Sequence, residues 1–127
     1  MYPYLLVAIG GAIGSVLRYG TGVFVGSLWR NSFPLGTLMI NIVGSLVMGL
    51  FVGLMARLLP TWQSDARLFF AVGVLGGFTT FSSFSLDAIS MIERGDVLLA
   101  TLYVVLSVAI AVPALYIGLI IMRGSPT

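Results

Sequence analysis

Cysteine and histidine are missing from the chain altogether, and its positive charge is carried by six arginines without a single lysine. The first two absences remove disulfides, thiol nucleophiles, imidazole bases and the usual zinc ligands together. Acid is scarce as well. Of the four Asp and Glu residues only Asp87 falls inside a hydrophobic segment, so no paired-carboxylate site is visible and an enzyme is not expected. The arginines stand singly, which leaves nucleic acid no basic cluster to bind. Charged residues make up 8% of the chain against 59% hydrophobic, a balance that excludes an ordinary soluble domain and points to a membrane protein.

Four apolar spans can be read, at about 4–28, 34–58, 66–92 and 97–121, which predicts an all-α membrane protein with 1–127 as a single four-helix transmembrane domain. Each span of about 25 residues reaches ~38 Å as a helix, enough to cross a ~30 Å hydrocarbon core with some tilt. The first span lacks a basic n-region and runs on too long for a signal h-region, so it is expected to be retained. One face of the membrane would hold Arg57, Arg67 and Arg123, the other Arg30 and Arg94, with Arg18 inside span 1 nearer that second side. So even a distribution gives the positive-inside rule little to act on. Either the chain inserts both ways, or a weak bias suffices.

The stretch 73–87, GVLGGFTTFSSFSLD, organises the rest. Its apolar part is too short to cross a bilayer alone, so the polar half with Thr79, Thr80, Ser82, Ser83, Ser85 and Asp87 must lie within the membrane. Thr80 is the midpoint of the hydrophobic segment 68–92. Paired glycines cost a helix roughly 1 kcal/mol each relative to alanine, and β-branched threonines hold it no better. This predicts a third helix broken at mid-membrane, a conformation tolerated only against protein or a water-filled cavity. The bland reading is an intact helix whose Gly and Ser residues pack.

Elsewhere, Gly10/Gly14 and Gly22/Gly26 are small-xxx-small pairs that suit close helix approach. Arg18 lies near the centre of span 1, where a guanidinium is costly and should face protein or water. It either supplies positive potential for an anion or clamps helix carbonyls or Asp87. Trp29 and Arg30 make interfacial anchors, and Pro34 suits a helix start. Thr37, Asn41 and Ser45 share one stripe, continued by Gly49 and Gly53, serving as interhelical glue or as a pore lining. Tyr103 and Ser107 stand four apart in span 4, Pro113 further on invites a kink, and the tail 124–127 is expected to be disordered. Adjacent spans run in opposite directions, so Arg18, Thr37, Asn41, Ser82, Ser83, Ser85, Asp87, Tyr103 and Ser107 all fall in the same half of the bilayer. One chain thus builds half of a polar pathway. An inverted second copy would supply the other half, as inverted repeats with discontinuous helices do in transporters, and exposed carbonyls of the two broken spans could cage a small hard cation.

GGFTTFSSFS (76–85), with PLGTLMIN (34–41), GAIGSVLRY (11–19) and the Tyr103/Ser107 pair, resembles the Fluc (CrcB) fluoride-channel family over all four spans. The resemblance implies an antiparallel dual-topology homodimer in the bacterial cytoplasmic membrane, exporting fluoride through two pores lined by both subunits. It implies a structural sodium ion on the backbone carbonyls of Gly76 and Thr79 and no organic cofactor. It makes Thr37, Asn41, Thr80, Phe81, Ser83, Phe84, Tyr103 and Ser107 the pore candidates, with Arg18 and Asp87 acting electrostatically in the vestibule. Ser83 stands where the family often has Thr, Asp87 where it often has Glu, and Ala111 where a further hydroxyl is expected.

The chemistry agrees. Fluoride holds its water tightly, so a pore must replace hydration with Asn, Ser, Thr and Tyr donors and with positive aromatic ring edges. A fixed cation would bind too firmly, because a conducted ion must also leave. Phe81 and Phe84 share a helix face; their alternative is plain lipid or core packing. Two rival functions stand beside the channel. A small multidrug-type, proton-coupled exporter needs a buried carboxylate, for which Asp87 is the candidate, and a non-transporting assembly subunit needs only the glycine faces.

Overall fold

In a computed structural model the chain is described over residues 1–29 and 33–124. Arg30, and the tail beyond Gly124, lie outside those residues. Helix α1 (Tyr2–Leu28) opens with a proline in its first turn, where the missing N–H costs nothing. Pro34 stands just before α2 (Leu35–Leu58), which closes on Leu59 in the left-handed conformation. The third run begins as α3 (Gln63–Ala66) and passes directly into a π-helical segment (Arg67–Leu75) and one α-helical turn, α4 (Gly76–Phe78). Thr79 is extended (φ −79°, ψ 158°), and helix resumes as α5 (Ser82–Glu93). A turn through Gly95, at φ 89°, leads to α6 (Val97–Arg123), helical straight through Pro113.

The fold is therefore all-helical, with four runs long and apolar enough to cross a membrane: Tyr2–Leu28, Leu35–Leu58, Gln63–Glu93 and Val97–Arg123. The longest contact is α2 against α6, followed by α1 against the π segment and α4. Helix α5 packs on α6, so the two halves of the third run lean on different partners.

Glycines let backbone approach backbone at these contacts, as expected where lipid removes the hydrophobic drive between helices. A Cβ on Gly10 would strike the Phe69 carbonyl, one on Gly14 the Val74 carbonyl, and one on Gly77 would sit 2.6 Å from the Gly11 carbonyl. The second seam is built alike, with Gly49 and Gly53 facing the carbonyls of Leu115 and Leu119, and Gly118 returning against Leu46. Gly22 and Gly26 meet nothing comparable: a Cβ there has no neighbour within 4 Å in the chain. Close to the polar residues the core is Leu38, Ala88, Met91, Ala100 and Tyr103, which joins α2, α5 and α6.

Candidate functional site

Where helix stops at Phe78 and resumes at Ser82, backbone groups lose their helical partners and must find others. The sequence supplies them from several directions. Thr79 turns back on its own helix end, its N–H and its hydroxyl both donating to the Leu75 carbonyl at 3.0 and 2.9 Å. Arg18, from α1, donates through Nε to the Gly77 carbonyl at 3.1 Å. Of the two roles open to this arginine, the carbonyl clamp is the contact present. Asn41, from α2, takes both ends of the Thr80 residue: Nδ2 donates to the Thr80 carbonyl at 3.0 Å, and the Thr80 N–H donates to Oδ1 at 2.9 Å. The Thr80 hydroxyl then accepts the Ser83 N–H at 3.1 Å, capping the start of α5, and lies 3.3 Å from the Ser82 hydroxyl.

Two cavities flank this point. The first, about 340 Å³, is walled by Asn41, Ser45, Thr79, Thr80, Phe81, Phe84, Ser107 and Ala111 with aliphatic neighbours. The second, about 330 Å³, is walled by Arg18, Tyr19, Thr37, Thr80 and Ser83. Thr80 belongs to both walls, so the clamped residue stands between them. The Phe81 and Phe84 rings lie 5.6 Å apart at 44°, and Phe81 is 78% exposed in the single chain. The Ser107 hydroxyl is the odd group out. The residue is only 7% exposed, yet Oγ has no hydrogen-bond partner, although it lines the first cavity.

Tyr103 is fully buried and lines neither cavity. Its hydroxyl donates to Asp87 Oδ2 at 3.1 Å, while its ring meets Phe33 edge-on and Phe84 at 5.1 Å. Asp87 itself borders a small pocket of about 40 Å³ with Pro34, Ser90, Met91 and Arg94. Gly76 is exposed beside the interruption. The structure thus gathers Asn41, Thr80, Phe81, Phe84 and Ser107 around one cavity and Arg18, Thr37, Thr80 and Ser83 around the other. It sets Tyr103 and Asp87 together behind them. Gly44 was not singled out from the sequence: a Cβ there would strike Thr79 Cγ2, so its bareness makes room for the extended residue. Its place three residues after Asn41, on the same helix face, was the available signal.

The sequence model of the family described as CrcB-like protein, Camphor Resistance (CrcB), matches residues 5–119. A protein named fluoride-specific ion channel FluC from Agrobacterium fabrum (strain C58 / ATCC 33970) is 52% identical over 124 residues, covering 98% of both chains. One of the same name from Erythrobacter litoralis (strain HTCC2594) is 49% identical over 127 residues, covering 97% of this chain and 93% of its own. A third so named, from Hyphomonas neptunium (strain ATCC 15444), is 49% identical over 123 residues, 97% of each chain.

Proposed function

The chain belongs to the CrcB-like protein family, and from that premise we propose that it is a fluoride-specific ion channel, a multi-pass membrane protein that passes fluoride down its gradient and carries out no enzymatic reaction. The observation that carries the reading at this site is the cavity beside Thr80, whose wall is shared by Ser107, with a buried hydroxyl that has no partner, a clamped amide, Asn41, and two phenylalanines. A small, strongly hydrated anion needs hydrogen-bond donors and the positive edges of aromatic rings. The wall of this cavity offers both, and no fixed cation: Arg18 lies on the other side of Thr80, with Nε spent on a carbonyl. Such a lining releases what it binds, as conduction requires.

We assign the pore to Thr37, Asn41, Thr80, Phe81, Ser83, Phe84, Tyr103 and Ser107, with Arg18 and Asp87 acting on the field around it. The extended Thr79 we read as a helix broken at mid-membrane. A second, inverted copy completes the pathway in this proposal, giving an antiparallel homodimer with two pores in the bacterial cytoplasmic membrane. What supports it is the even spread of arginines, the polar residues gathered in one half of the bilayer, and the open surface at Gly76 and Phe81. Among the described residues no group of three His, Cys, Asp or Glu could hold a metal, so a hard cation at the centre would rest on backbone oxygens. The carbonyls of Gly76 and Thr79 suit it, since none of the clamps described above engages them. A sodium ion there would tie the two interruptions together.

The test is efflux from fluoride-loaded liposomes containing the purified protein. Rapid, passive fluoride release supports the channel. Proton-driven uptake of a cationic drug would instead indicate an exporter, and neither activity an assembly subunit. The exporter has little to work with here, because the Asp87 carboxylate is already engaged by Tyr103.

A further inference from the structure

We propose that Asn41 is a positioning residue, whose carboxamide holds the Thr80 residue at both its N–H and its C=O and thereby fixes the direction in which the chain leaves the interruption toward Phe81. The proposal rests on the channel reading and adds to it a division of labour among the polar groups of the cavity. Thr80 lies between the last residue of α4 and the first of α5, so neither of its backbone groups has a helical partner. A neutral carboxamide presents a donor and an acceptor side by side in one plane, matching a peptide as a neighbouring strand would. Bonds of 2.9 and 3.0 Å to one residue, 39 positions away in sequence, use that match in full.

A second feature of the same face of α2 points the same way. Gly44, one turn on, is bare where Thr79 Cγ2 and the Phe78 ring press against the helix. Helix α2 therefore receives the interruption twice, making room for Thr79 and holding Thr80. Phe81 follows directly and is exposed, with the Phe84 ring as its aromatic neighbour, so its placement depends on the residue before it. With one N–H of Nδ2 and one acceptor site of Oδ1 committed to Thr80, Asn41 keeps a single N–H for the cavity it lines.

The experiment reads Thr80 directly. Amide hydrogen exchange at Thr80, in purified protein with 15N-labelled threonine and no fluoride present, is compared among wild type, Asn41→Ala, Asn41→Asp and Ser107→Ala, with rates corrected for the pH dependence of free amides. Exchange at Thr80 accelerates at least about tenfold in Asn41→Ala and stays at the wild-type rate in Ser107→Ala. Asn41→Asp guards against a variant that fails to fold and separates positioning from anion contact. Its neutral carboxylic acid carries a donor and an acceptor like the amide, whereas its carboxylate has only acceptors. On mild acidification Thr80 protection and fluoride efflux, net of protein-free liposomes, recover together. Recovery of efflux while Thr80 still exchanges fast would overturn the proposal, because the carboxylate would then have done no more than repel the anion. Equal Thr80 exchange in wild type and Asn41→Ala would overturn it outright. A wild type that passes no fluoride would defeat the channel reading instead, and the fluoride-free exchange measurement keeps the two failures apart.

Discussion

Removing the hydroxyl of Ser107 should raise stability and lower flux, two effects of opposite sign from one atom. Within the single chain Oγ is buried without a partner, and a buried polar group left unsatisfied costs about 1–3 kcal/mol. Ser107→Ala deletes the group and leaves a residue well suited to the interior of α6, so the variant should gain about 1 kcal/mol or somewhat more. The same residue lines the cavity with Asn41, Phe81 and Phe84. A hydrogen bond to a charged partner contributes about 1.5–3 kcal/mol, so losing it should cut fluoride flux roughly tenfold to a hundredfold at limiting fluoride. Thermal or denaturant unfolding in detergent gives the first quantity, and a fluoride electrode outside loaded liposomes gives the second. A variant that loses flux in step with stability would refute the reasoning, since Ser107 would then be a structural group with a partner. Unchanged flux would remove it from the pathway.

The other outcomes concern packing and the pathway's walls. Gly14→Ala places a methyl against the Val74 carbonyl and 2.9 Å from the Phe78 amide nitrogen, and should cost about 1–3 kcal/mol of unfolding stability, whereas Gly26→Ala should leave it unchanged or slightly raised. Gly76→Ala meets nothing nearer than Ala71 O at 3.6 Å within the chain, so any loss of sodium-dependent dimerisation, read by energy transfer between labelled chains, would come from a second copy; wild-type dimerisation would count against the proposed cage. Tyr103→Phe deletes the donor to Asp87 and should lower stability by about 1.5–3 kcal/mol and reduce flux, though less than Ser107→Ala does, because the residue borders neither cavity; unchanged flux would remove it from the proposed pore. Phe81→Ile, at a residue 78% exposed in one chain, should change single-chain stability by less than about 0.5 kcal/mol while reducing flux, and unaltered flux would release the ring from its proposed role.

What could be read from the residues was whatever depends on neighbours along the chain. The four apolar runs declare themselves by length, and the glycines and threonines at 76–80 announce that helix will not continue unperturbed. Matters decided by what arrives from elsewhere could not be read. Gly10/Gly14 and Gly22/Gly26 have the same spacing, but only the first pair meets backbone of another element, because the π segment and α4 lie along that end of α1. The π geometry of Arg67–Leu75 carries no marker in composition, although Gly73 within it and Gly77 just beyond both come against α1. Likewise Thr37 and Asn41 sit on one stripe of α2, yet they border different cavities, since the Thr80 residue held by Asn41 stands between them. Helical spacing aligned those side chains and was silent about what would divide them.

The interruption is held too firmly to serve as a hinge. Hinges need a few residues free to absorb changes in φ and ψ. Here Gly77 is tied to α1 through Arg18, Thr79 to its own helix end, Thr80 to α2 through Asn41, and Ser83 to the Thr80 hydroxyl. Moving any one residue breaks one of these hydrogen bonds. Two of the ties come from other helices and two are local, but all converge within seven residues, 77–83, so their losses should not add. Once Asn41 no longer holds Thr80, the cap at Ser83 is already displaced, and removing the Thr80 hydroxyl as well should cost less than it does alone. A double-mutant cycle on Asn41→Ala and Thr80→Val therefore measures whether the interruption moves as one body. A coupling near zero would mean that the ties are independent and the segment is free to flex between them.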